Sequence, residues 1–119
     1  MSYEGLNEIL KRIIYIEKRM EITDLVLIEK LEKIAKLYGF HYSDLFTNSR
    51  DAEIVRLKYA IYEVLFSADK KKYNKTRLGE MFRRHYSTVI YGIKQSKFNR
   101  SYDSVIKQIY NTIKEILVL

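Results

Sequence analysis

Apolar residues recur every three or four positions through most of this chain, the spacing that gathers them on one face of an α-helix. Over residues 3 to 21, Leu6, Leu10, Ile13, Ile14 and Met20 lie on or near one face, with Ile9 and Ile16 widening it. A second stripe (Leu27, Ile28, Leu31, Ile34, Ala35, Tyr38, with Leu37 at its flank) follows Asp24, an N-cap candidate, and ends at Gly39, where a left-handed C-cap is common. Phe40 to Asn48 reads as a connector in which Ser43 caps one short turn over Leu45 and Phe46, with His41 and Tyr42 as packing and surface residues. After Asn48, Ser49 and Arg50, residues 51 to 67 are so apolar that their helix belongs at the centre of the domain, with Arg56 and Lys58 among the exceptions. Two short helices are expected next, over 76 to 82 and from about Tyr86. A last one, over about 101 to 117, carries Tyr102, Val105, Ile106, Ile109, Ile113, Ile116 and Leu117.

The expectation is an all-α, helix-turn-helix domain of about six helices. Residues 1 to 22 form an N-terminal helical extension and residues 23 to 119 the domain itself. The absence of proline and the presence of only four glycines favour uninterrupted helices over strands. The stripe in the extension must be buried, either on the same domain or in a homodimer or protein-partner contact made through residues 3 to 21.

Leu78 to Ile93 organises the rest. It reads as the end of a bracing helix, a basic corner at Arg83 and Arg84, and a second helix whose first turn is polar and whose later turns are apolar. In a helix-turn-helix of this kind the second helix lays its N-terminal residues on base edges in a DNA major groove. Two short amphipathic helices with a polar corner also occur in helical domains that bind nothing. Gly79, inside the first helix, costs about 1 kcal/mol relative to alanine, which a close helix crossing would offset; Gly92 invites the same reading.

Charge separates the two alternatives. The net charge is +7, but residues 1 to 48 carry a net −1 and residues 49 to 119 a net +8. Residues 70 to 100 hold ten bases against one acid, Glu80. A solvated helical face normally mixes signs, so this concentration suits a polyanion partner. Arg83 and Arg84 bring fork geometry, whereas Lys70, Lys71, Lys72 and Lys75 supply point charges for phosphate rather than base readout. The helix start near Tyr86 offers unpaired N–H groups and a partial positive charge. Ser87 and Thr88 can bond phosphate oxygens or base edges, and Tyr91, one turn on, reaches the same groove, with Lys94 beyond it. Thr88 has an alternative role in serving the helix end.

Leu78-Gly79-Glu80-Met81-Phe82, followed by Arg83-Arg84-His85-Tyr86-Ser87-Thr88-Val89-Ile90-Tyr91-Gly92, resembles the signature of the C-terminal DNA-binding domain of the bacterial replication initiator DnaA. Ile34 to Phe40, Ser43 to Phe46 and Arg50 extend the likeness, which covers about residues 24 to 117. It implies a Trp-repressor-like helix-turn-helix that binds double-stranded DNA, with Arg84, His85, Tyr86, Ser87, Thr88 and Tyr91 at the positions that enter the major groove. An arginine near the start of the long helix would reach the adjacent minor groove, and Arg50 and Arg56 are both candidates for it. Where the family has Asp-His this chain has His85-Tyr86, and where it often has a later His this chain has Tyr91. Aspartate accepts a hydrogen bond from cytosine and caps a helix; neutral histidine is a weaker cap. The initiator's usual DNA box is therefore not the expected target. No Gly-rich phosphate loop accompanies the motif, so an ATP-driven initiator is not expected either.

Other chemistry finds little support. The chain has no cysteine, and His41 and His85 show no ligand spacing. No paired carboxylates and no nucleophile with a base converge, so neither an enzyme nor a cofactor is expected. No apolar run spans a membrane and no signal-peptide pattern opens the chain, which makes the cytoplasm the default compartment. The reading is sequence-specific binding of duplex DNA in replication or transcription control. The alternatives are a protein-interaction module docking through its N-terminal helix, with DNA contact secondary, and RNA binding.

Overall fold

The computed structural model describes residues 24–118, and the stretch expected to form the N-terminal helical extension lies outside them. The fold is all-α. Among the described residues are helices α1 (Asp24–Leu37), α2 (Ala52–Ala68), α3 (Lys75–Phe82), α4 (Tyr86–Asn99) and α5 (Ser104–Val118), a short 3-10 turn at Tyr42–Phe46, and no strand. The sixth expected helix is the one over residues 3 to 21. No described helix is long and apolar enough to cross a membrane.

Each boundary has a local cause. Asp51 caps α2 by accepting from the backbone N–H groups of Glu53 and Ile54, and Asn74 caps α3 by accepting from Arg77. At the end of α1, Gly39 has φ +80°; its N–H donates to the Lys36 carbonyl and that of Phe40 to the Ala35 carbonyl, closing a Schellman motif. Asp24 is the first residue of α1 rather than the residue before it. Ser43 does not cap the 3-10 turn: the Asp44 carboxylate accepts from the His41 backbone N–H at 2.9 Å, so His41 opens the turn.

Helix α2 is the hub, packed most extensively against α4 and α5. Its Leu57, Ala60, Ile61, Tyr62, Val64 and Leu65 join Leu27, Leu31 and Ile34 of α1, Leu45 of the 3-10 turn, Leu78 and Phe82 of α3, Val89 of α4 and Ile113 of α5 in one core. The Phe82 ring stacks on Phe46 and meets Tyr62 edge-on, with centroids at 5.3 and 5.0 Å. This fixes the C-terminal end of α3 against the centre of the domain.

The last helix departs from expectation at its start. It begins at Ser104, because the Asp103 carboxylate accepts from Val105 and Ile106 N–H groups and residues 100 to 103 form a turn. Tyr102, 80% exposed, and Val105 therefore stay out of the core, and Ile106 and Ile113 supply its buried face.

Candidate nucleic-acid interface

Helices α3 and α4 are joined by Arg83, Arg84 and His85 alone, which makes the pair a helix-turn-helix unit. Gly79 is what lets them close. A Cβ there would lie 2.6 Å from the Arg84 carbonyl oxygen and 3.3 Å from the Tyr86 nitrogen, both backbone atoms that cannot swing aside. The close approach expected at Gly79 is thus to the corner itself. At Gly92 it is to a side chain, the Tyr59 ring of α2, which an added Cβ would meet at 2.5 Å.

The corner ends α3 in the same way as Gly39 ends α1, but without a glycine. Arg83 has φ 55° and ψ 45°; its N–H and that of Arg84 donate back to the Glu80 and Gly79 carbonyls. A left-handed conformation costs a residue with a Cβ roughly 1–2 kcal/mol. Strain of this kind concentrates at functional sites, where the surroundings impose it. The Arg83 side chain is exposed at this corner.

His85 occupies the N-cap position of α4. Its Nδ1 accepts from the Ser87 backbone N–H at 3.2 Å and lies 2.7 Å from the Ser87 hydroxyl. The ring can accept only in the tautomer that carries its proton on Nε2. Histidine thus does here the capping work for which it looked poorly suited. The Thr88 N–H, in the first turn, donates to the His85 carbonyl.

Helix α4 has two distinct faces. Val89, Gly92 and Ser96 are buried toward α2, while Ser87, Tyr91 and Lys94 form an exposed stripe, with Tyr86 exposed beside them. Tyr86 is 50% exposed and Tyr91 56%. The Tyr91 ring meets the Tyr59 ring edge-on at 6.1 Å, and Tyr59 is itself held by the close contact at Gly92, so Tyr91 stands out from the surface with its ring supported from below. Burial, then the neighbouring Tyr91 hydroxyl, raises the Tyr59 pKa, so the Tyr59 phenol stays a neutral hydrogen-bond donor near neutrality.

The other predicted contacts sit at varying distances from this surface. Lys70, Lys71 and Lys72 lie on a turn between α2 and α3 that Asp69 orders, its carboxylate accepting from the N–H groups of Lys71 and Lys72. The ammonium groups of Lys70 and Lys75 both lie over the Phe66 ring, at 5.6 and 5.4 Å, and that of Lys72 over Tyr73. Lys75 begins α3, about 10 Å along the helix axis from the corner. Arg50 is exposed just before α2. Arg56 is exposed too, but borders a surface cleft with Phe98, Asn99, Tyr102 and Asp103 at the other end of α4.

Arg84 behaves differently from Arg83. It is half-buried, with Nη1 donating to the Arg83 carbonyl at 2.9 Å and Nη2 buried without a partner. Two charged residues not foreseen as structurally important complete the region. Lys58 is 4% exposed and donates to the Thr47 carbonyl. Glu63, 3% exposed, accepts from the Ser96 hydroxyl at 2.9 Å and from Nε and Nη2 of Arg100, which stacks on Tyr110 at 4.4 Å. One of the ten bases counted between residues 70 and 100 is therefore neutralised.

Among the described residues no three His, Asp or Glu side chains gather as a metal site. No family model, no curated protein and no solved structure matches the chain.

Proposed function

We propose that this protein binds double-stranded DNA through its helix-turn-helix, with the opening turn of α4 in the major groove, and acts in the control of replication or transcription. One observation carries the reading: an exposed polar and aromatic stripe of α4 begins at a corner whose exposed arginine, Arg83, has a left-handed backbone. Ser87 and Tyr91 offer hydrogen bonds to base edges, Tyr86 offers apolar contact, and Arg83, Lys94 and the cluster Lys70 to Lys75 take phosphates. The likeness of Leu78–Gly92 to the DNA-binding signature of DnaA supports the same reading. Tyr91 in place of a histidine argues for a target other than the initiator's box.

Selection from a random duplex pool tests it. A defined motif should be enriched, and Ser87→Ala or Tyr91→Phe should relax preference at one or two positions at about 1–3 kcal/mol each. Uniform recovery of the pool, or preferential capture of structured RNA in competition, would sink the proposal.

A further inference from the structure

The C-terminal end of α4 carries a second surface, away from the opening turn of that helix. Phe98 is 61% exposed and Tyr102 80%, and their rings pack against each other with centroids 5.1 Å apart and planes tilted by 51°. Apolar side chains exposed one at a time are ordinary, whereas large ones grouped on the surface mark a contact. Beside the rings opens a surface cleft of about 670 Å³, lined by Arg56 of α2, by Phe98 and Asn99, by Tyr102 and Asp103 of the turn, and by Ile106 of α5. The backbone beneath is anchored. Ser96 and Arg100, on either side of Phe98 in the chain, are fastened to Glu63, and the Asn99 carbonyl accepts from the Tyr102 and Asp103 N–H groups.

The polar groups of the cleft are unspent. Neither the Arg56 guanidinium nor the Asn99 side-chain amide has a hydrogen-bond or ion-pair partner among the described residues. Asp103 has one carboxylate oxygen committed to the Val105 and Ile106 N–H groups. Arg56 and the exposed Lys97 outnumber it, so the surface favours an anion. A second copy of this chain fits poorly: in a two-fold contact the patch meets itself, which sets Arg56 and Lys97 against their own counterparts. Duplex DNA fits poorly too, because its bases are stacked on one another and offer no faces to the rings. An anion that brings a flat face for two aromatic rings and a polar edge for an amide is an unpaired nucleotide, and single strands are held by this combination of cations and rings.

We infer that Phe98 and Tyr102 stack an unpaired base of single-stranded DNA, with the edge of the base at the Asn99 amide and its phosphate at Arg56. An amide both donates and accepts, so it accommodates the edge of any base. The inference goes beyond duplex binding and rests on that reading only for the choice of DNA over RNA. Tyr91, Lys94 and Phe98 recur along one exposed face of α4, and Phe98 lies about 16 Å along the axis from Ser87.

The test titrates the full chain into a short labelled oligothymidylate and follows its anisotropy, for the wild type, Phe98→Ala and Tyr102→Ala. The same strand made abasic probes phosphate binding alone. The wild type should bind oligothymidylate about tenfold more tightly than either variant does, and about tenfold more tightly than it binds the abasic strand. Duplex affinity should be the same in all three proteins. Equal binding of oligothymidylate by wild type and variants, or of the abasic and base-bearing strands by the wild type, overturns the site and leaves the duplex reading intact. Sensitivity of oligothymidylate binding to both substitutions, in a protein that binds no duplex, upholds the site and removes the duplex reading. Tighter binding of oligouridylate than of oligothymidylate overturns the assignment to DNA. A wild-type dimer in sedimentation that either substitution dissolves overturns the site in favour of a contact between copies. Should Phe98→Ala fail to fold, Tyr102→Ala decides alone, since that side chain is 80% exposed.

Discussion

The two ends of α4 carry the same kind of charge and treat it in opposite ways. At the C-terminal end Arg100 is clamped by both oxygens of a buried Glu63, which also holds Ser96, so the helix is fastened to α2 and to Tyr110 of α5. At the N-terminal end Arg83 is exposed, Arg84 is half-satisfied, and no carboxylate among the described residues pairs with either. One end is an anchor. The other presents cations to whatever anion arrives. A count of bases along the sequence treats the two alike, and only the location of a single acid on a neighbouring helix separates them.

If that contrast is right, removing the acid should be the most damaging change. Glu63→Ala leaves a buried hydroxyl and an arginine without its partner. Breaking a buried pair costs about 3–5 kcal/mol, and the lower figure applies here because Arg100 retains access to water. Urea unfolding should show a loss near 3 kcal/mol.

Tyr62, beneath the corner, sets the next effect. Burial pushes its phenol up to about 12, against the opposing pull of Arg84. A folded-state pKa above the unfolded value gives stability that is present below about pH 10 and lost as the pH rises toward 12. The loss amounts to about 2–3 kcal/mol. Lys58, held low, works the other way, its penalty being relieved as the pH climbs toward the ordinary lysine value. Unfolding free energies measured from pH 9 to 12 should therefore fall steeply in the wild type and much less in Tyr62→Phe.

The smallest stability effect has the opposite sign. Arg83→Gly removes the strain of φ 55° and should stabilise the fold by about 1 kcal/mol while weakening duplex binding. Stability and binding would then move in opposite directions at one residue, as expected where strain is retained for function. Loss of both together would mark Arg83 as a structural residue.

Much of the fold was legible in the sequence. The stripe from Leu27 to Tyr38, its glycine cap and the apolar run of α2 each follow a local rule. The corner was legible as well, since Gly79 lies one helical turn before the basic residues that follow Phe82. What escaped depends on contacts distant in sequence. Glu63 and Arg100 are 37 positions apart, and no spacing rule joins them; the only local hint was an acid inside the apolar stretch Ile61 to Leu65. Lys58 showed only as a polar exception on an apolar helix, and its burial depends on a carbonyl supplied by Thr47. Tyr102 and Val105 were placed in the core because helical periodicity continues through them, whereas the Asp103 cap starts α5 beyond Tyr102 and leaves both exposed.

On the proposed function, the open end of α4 would bind duplex DNA through phosphate contacts that bring its first turn to the bases. The most direct measurement is the affinity of the full chain for a selected duplex as a function of salt. With about six phosphate contacts, affinity should fall by about a thousandfold between 50 and 200 mM salt. An affinity that stays flat across that range would contradict the account.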